Sequence, residues 1–212
     1  MNFTNKKTDF FLFNEQIIKG RLDKMEELLN QGFDINNKGG GYQSTPLMEA
    51  AFHNEKALDF LIKKGANFNE VDNLGCTAFH YAAMAIQTAT TAEKFQILYD
   101  AGLDIHVQDL SGDTALYWAM SSMCDNGGET CEGVKWLLEH HLDPLVENKQ
   151  GKSVLSLYET IQIHPDYEYV RTVFSKEVDL FMKEAAARKE KQTLDQKTIP
   201  ASSSRKIKGA RL

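Results

Sequence analysis

A chain of 212 residues with 42% apolar and 25% charged residues is long enough for one or two domains with a real core, in the proportions of a soluble protein. Its charge of −6 is uneven: residues 185–212 hold eight basic and two acidic residues, a net +6, which leaves −12 for positions 1–184. An acidic body argues against a nucleic-acid-binding face, and no apolar run nears the ~20 residues of a membrane span.

The first residues, "MNFTNKKTDFFLFNEQ", contain only a short apolar patch and no small-residue cleavage site, so no Sec-type leader is expected. The three cysteines, Cys76, Cys124 and Cys131, are few and odd in number, as in a reducing compartment. A cytoplasmic protein, monomeric on its own, is the expectation. The polar "NEQIIKGRLDKMEE" reads as an N-terminal cap over about residues 10–40. Next comes "GGGYQSTPLMEAA", a glycine-rich turn feeding a helix. Thr45 is a good N-cap and Pro46 is tolerated in the first turn.

That unit returns as "CTAFHYAA" from Cys76, "DTALYWAM" from Asp113 and "KSVLSLYE" from Lys152. Each has a Thr or Ser, with a large apolar residue two positions on: Leu47, Phe79, Leu116 and Leu155. Downstream, "LDFLIKKGANFNEVD", "FQILYDAGLDIHVQD" and "VKWLLEHHLDPLVEN" each read as an amphipathic helix, its end marked by Gly65, Gly102 or, in substitution, His141. The hydroxyls at Thr45, Thr77, Thr114 and Ser153 lie 32, 37 and 39 residues apart. The added residues fall between first and second helix, in "AIQTATTAE" and "SSMCDNGGETCEG", which read as long connections near 86–93 and 121–133. Repeats are expected over about 41–73, 74–110 and 111–148. A final repeat and cap follow to 184, its second helix starting near Tyr167. The basic tail at 185–212 continues briefly as a helix through "KEAAARKEKQ" and is then expected to be disordered.

Thr45-Pro46-Leu47 with Ala50 and Ala51, Thr77 and His80 with Ala82 and Ala83, and the closing Gly65 resemble the ankyrin repeat, whose Thr-Pro-Leu-His-x-Ala unit recurs near every 33 residues. The likeness covers roughly residues 10 to 180. It implies an all-α solenoid of about four to five helix-turn-helix repeats with short hairpin-like turns and a C-terminal capping helix. It gives Thr45, Pro46, Leu47, Gly65, Thr77, His80, Gly102 and Thr114 structural roles. In the family the motif His ties adjacent turns together. Met48, Tyr117 and Ser156 stand in its place elsewhere, which implies weaker ties.

No phosphate loop, catalytic triad or calcium loop is legible. Cys124, Cys131, His140 and His141 match no zinc spacing. His80 fits the structural motif better than a catalytic role. No cofactor, metal or enzymatic activity is expected. The resemblance implies instead a protein-binding scaffold with a concave surface of turn tips and first-helix faces. Carried over, its variable positions are Tyr42, Ser44, Phe52, His53, Asn73, Leu74, Cys76, Met84, Leu110, Ser111, Asp113, Ser121, Ser122, Lys149 and Lys152. Trp118 reads equally as groove or core. A protein partner, basic by charge complementarity, is expected, with no nucleic acid or membrane. Small stand-alone ankyrin chains of this kind look bacterial, and the candidate settings are an immunity protein against a basic toxin, a secreted effector and an adaptor. An enzyme on a repeat scaffold is the outside alternative.

Overall fold

In each repeat a hydroxyl residue starts a short helix. The computed structural model describes residues 6–85, 91–126, 132–164, 168, 171 and 176–198. In it the Met48 backbone N–H donates to Thr45 Oγ1 at 3.3 Å, Tyr117 N–H to Thr114 Oγ1 at 3.2 Å and Ser156 N–H to Ser153 Oγ at 3.2 Å. These caps satisfy backbone donors that the first turn leaves without partners.

The helices fall into pairs: α1 (Lys6–Ile18) with α2 (Leu22–Asn30), α3 (Pro46–His53) with α4 (Glu55–Lys63), and α5 (Ala78–Met84) with α6 (Thr91–Asp100). Then come α7 (Ala115–Asn126) with α8 (Glu132–Glu139), and α9 (Val154–Ile163) with α10 (Lys176–Thr198). The first helices α1, α3, α5, α7 and α9 pack in sequence, each on the next. The second helices α2, α4, α6, α8 and α10 form a parallel layer behind them. No strand occurs among the described residues, only isolated bridges at Gly39–Ser44 and Gln108–Thr114. This is an all-α repeat solenoid.

Small side chains set the spacing of the first layer. Ala50, Ala51, Ala82 and Ala83 are buried completely, and Leu47, Phe79, Leu116 and Leu155 fill the space beside them. Leu61, Leu98, Leu137 and Leu138 supply the second layer's core stripe, with Ile62 and Ile97 packed half-buried against it. In α1 the apolar residues divide by helical spacing. Phe10 and Phe13 are buried, while Phe11 and Leu12 are exposed. Phe13 stacks on Phe33 at 4.2 Å. At the second-helix ends, Gly65 and Gly102 take left-handed φ angles, and His141 does so too at +66°. The His141 N–H donates to the Leu138 carbonyl as Gly65 N–H does to that of Ile62, so the histidine performs the glycine's turn.

Several expected boundaries move. Helix α7 runs on to Asn126, so Ser121 and Ser122 are helical rather than part of a connection. Met120 and Met123, three apart, are buried and hold that turn to the core. Helix α6 begins at Thr91, so Thr91–Glu93 belong to it. What remains of those two connections, 86–90 and 127–131, lies outside the described residues, as do Tyr167 and residues 199–212. The boundary placed at 184 falls inside α10, whose Val178, Met182 and Ala185 are buried.

Candidate functional site

The turns between repeats share one construction. Asp72 Oδ1 accepts from the N–H groups of Leu74 and Cys76, both at 2.8 Å. Asp109 Oδ1 does the same for Ser111 (2.8 Å) and Asp113 (2.9 Å), and Asn148 Oδ1 for Gln150 (2.9 Å) and Lys152 (3.0 Å). A short polar side chain that bonds its own backbone two and four residues on is what folds a tight turn. Successive turns are then joined: Asn73 N–H donates to the Tyr42 carbonyl (2.8 Å), Leu110 to Leu74 (2.8 Å) and Lys149 to Ser111 (2.9 Å). The side chains of Tyr42, Leu74 and Leu110 are left exposed at the tips.

The first turn departs from this construction. Gly39 occupies the place of Asp72 and Asp109, one residue further from its threonine, with Gly39 N–H donating to the Ser44 carbonyl at 3.0 Å. A side chain on Gly39 would meet the Phe10 ring at 2.2 Å, so the glycine makes room for Phe10. Gly40 and Gln43 take positive φ, completing the longer turn.

Behind the tips, donors on the first helices hold the turn carboxylates. Tyr81 OH donates to Asp72 Oδ2 at 3.0 Å, and Trp118 Nε1–H donates to Asp109 Oδ2 at 3.0 Å. Burial pushes the Tyr81 phenol well above its usual range, with Asp72 adding to the effect. Tyr42, Phe52, Leu74, Met84, Tyr81 and Trp118 line a groove of about 370 Å³, together with Glu49, His53 and Asp72. Glu49 accepts from Ser44 Oγ at 2.5 Å and from Asn14 Nδ2 at 3.1 Å. His53 Nε2 lies 3.7 Å from it, and burial holds that imidazole below its ordinary pKa. Just behind, the buried Lys94 ammonium donates to the Phe52 carbonyl at 2.9 Å, at the C-terminal end of α3.

Residues 15–89 match the family model described as ankyrin repeats, three copies. The chain carries ankyrin repeats. It is 34% identical to putative ankyrin repeat protein L92 of Acanthamoeba polyphaga mimivirus, over 76% of this chain and 46% of that protein. Against ankyrin repeat and SOCS box protein 6 of Homo sapiens, it is 28% identical over 54% of this chain and 28% of the relative. Against palmitoyltransferase AKR1 of Lachancea kluyveri, the figures are 30%, 48% and 14%. The chain spans less than half the length of each of these relatives. Ankyrin repeats mediate contacts between proteins. No helix among the described residues is long and apolar enough to cross a membrane.

Within the ankyrin frame, the variable positions separate into groups. Tyr42, Phe52, His53, Leu74, Met84 and Trp118 come together in the groove. Trp118 takes both roles open to it, lining the groove with its ring while its N–H anchors Asp109. Leu110 sits at the next tip, against Gly75. Asn73, Ser111, Lys149 and Lys152 are exposed, and Asp113 and Ser121 half-buried, but none of them lines the groove. Ser44, Cys76 and Ser122 are buried and present no surface. The Cys76 thiol lies between repeats, 3.8 Å from Asp109 Oδ2, and burial raises its pKa far above the usual range. It is neither an exposed contact nor a reactive thiolate. Glu49, Asp72 and Tyr81 are groove residues that sequence reasoning missed. For Asp72 the signal was present: Asp72, Asp109 and Asn148 each stand five residues before the capping hydroxyl.

Among the described residues, no group of three or more His, Cys, Asp or Glu is arranged to hold a metal. His140 stacks on Trp136 at 3.6 Å, and its Nδ1 lies 2.8 Å from the Trp136 carbonyl. Cys131 lies outside the described residues.

Proposed function

We propose that this chain is a non-enzymatic docking module that holds a protein partner along the face built from turn tips and first helices. The supporting observation is a set of exposed apolar side chains at the turn tips, where polar residues would solvate equally well. Tyr42 and Leu110 are each 62% exposed and Leu74 is 44% exposed, beside the aromatic groove. Large apolar and aromatic residues around a depression are the usual anchors of a protein interface. The net charge of −12 on positions 1–184 steers a basic partner. A toxin held by an acidic immunity protein belongs to that class.

Leu74→Asp and Leu110→Asp test this reading. Both side chains project from turn tips, so the helices should keep their circular dichroism. Each substitution should weaken partner binding about tenfold or more, roughly 1.4 kcal/mol. Unchanged affinity in both variants would overturn the docking face.

A further inference from the structure

We infer that the groove between Phe52 and Trp118 is a pocket for one basic side chain, an arginine or lysine carried by the partner; this rests on the docking reading above. The rim is apolar and aromatic, with Tyr42, Leu74 and Phe52 all exposed. The two carboxylates among the lining residues lie deeper: the Glu49 side chain is 17% exposed and Asp72 is 8% exposed. Among the described residues, no Lys or Arg lines the groove. Burial holds the His53 imidazole below its ordinary pKa, and Lys94 spends a donor on the Phe52 carbonyl.

A guest must therefore offer an apolar stem to the rim and a positive charge to the interior. A wholly apolar guest would strip water from Glu49 and Asp72 and return nothing. An acidic guest would be repelled. Arginine and lysine have the required form, a methylene stem ending in a cation. Their heads are attracted to the faces of Trp118, Phe52 and Tyr42 as well as to the carboxylates. Glu49 is fixed in advance by Ser44 and Asn14, and Asp72 by two backbone N–H groups and Tyr81, so little ordering remains for the bound state.

The test uses the full chain with nitrogen-15 labelling and four acetylated, amidated Gly-Gly-X-Gly-Gly peptides, where X is arginine, lysine, citrulline or norleucine. The Trp118 indole N–H and Met84 methyl resonances report on the groove. Arginine or lysine peptide should move both signals saturably in the range of about 1–10 mM, with citrulline and norleucine at least about tenfold weaker. Glu49→Gln should weaken the better basic peptide about fivefold, and added salt should weaken it in the unaltered protein. Norleucine binding as tightly as arginine would overturn the cation pocket and leave the docking face intact. No movement with any peptide would also overturn it, and the Leu74→Asp and Leu110→Asp variants would then judge the docking face alone.

Discussion

The Tyr81 hydroxyl donates to the Asp72 carboxylate nine residues before it, and Trp118 repeats the bond to Asp109 at the same offset. Tyrosine and tryptophan thus fill one structural place in successive repeats, each tying a first helix to the turn that leads into it. Asp72 is nearly buried and accepts two backbone N–H bonds besides. Asp72→Ala should therefore cost about 3 kcal/mol or more, because three donors, two of them buried, lose their acceptor. Tyr81→Phe should cost only about 1 kcal/mol. Urea unfolding of the two variants checks the ordering, and equal costs would show that the turn does not depend on Asp72.

His80 ties two repeats together. Thr77 N–H donates to its Nδ1 at 3.1 Å, and its Nε2 lies 3.2 Å from the Asp113 carbonyl, which requires the neutral ring with its proton on Nε2. Burial lowers its pKa against the pull of nearby carboxylates. The unfolded ring binds protons first, so its contribution is fully present above about pH 6.5 and is lost as pH falls toward the folded pKa. His80→Gln should flatten the dependence of the urea midpoint on pH below about 6.5. Parallel profiles for the two proteins would contradict the assignment.

Met48 and Ser156 reproduce only half of that device. Thr45 N–H lies 3.4 Å from Met48 Sδ, and Ser153 N–H donates to Ser156 Oγ at 3.0 Å, so each cap closes locally. Among the described residues, neither side chain is bonded to the following turn as His80 is.

Lys94 works in the same sense as His80, in a more alkaline window. Burial depresses its ammonium to about 8, although Glu55 favours the charge. Below that value the lysine is charged both folded and unfolded, and its desolvation cost is constant. Between about pH 8 and 10.5 the unfolded chain binds more protons, so this group adds stability as pH rises. Thermal unfolding of the unaltered protein and of Lys94→Met should therefore diverge across that window, the lysine protein gaining relative to the variant. A constant difference would place the unprotonated form outside the folded state.

Glycines at similar φ should differ sharply in tolerance. Gly75 and Gly102 have φ of +77° and +90°. A Cβ on Gly102 meets nothing within 4 Å, whereas on Gly75 it meets the Leu110 backbone nitrogen at 2.9 Å. Gly102→Ala should cost about 1 kcal/mol, the backbone penalty alone. Gly75→Ala should cost about 3 kcal/mol, because it also pushes apart the Leu110–Leu74 bond between turns. Chemical denaturation of both variants checks this, and equal losses would mean that the turns are not tightly stacked.

The repeat was legible because its signals are local. Thr45, Thr114 and Ser153 each cap their own helix, Thr77 meets His80 in the first turn of its own, and Gly65 and Gly102 end theirs within the next turn. What escaped depends on contacts between repeats. Gly39 is set by Phe10, 29 residues away, which no short pattern reports. Cys76 falls at a position that the ankyrin family varies for binding, but the next turn folds over it and places Asp109 against its thiol. Ser44 is buried for the related reason that its hydroxyl serves Glu49. The apolar tips Tyr42, Leu74 and Leu110 follow from the resemblance to the ankyrin motif. The carboxylates behind them do not, since their depth is a property of the stacked helices.

The docking face is tested most directly by a photo-crosslinking residue, p-benzoylphenylalanine, placed at Leu74, Leu110 or Tyr99 in living cells of the source organism. Leu74 and Tyr99 are almost equally exposed, 44% and 45%, but Tyr99 lies on the second-helix layer against Trp136 and His140. The account predicts one discrete adduct from positions 74 and 110 and none of that mass from position 99. Adducts from position 99 alone, or equally from all three, would contradict it.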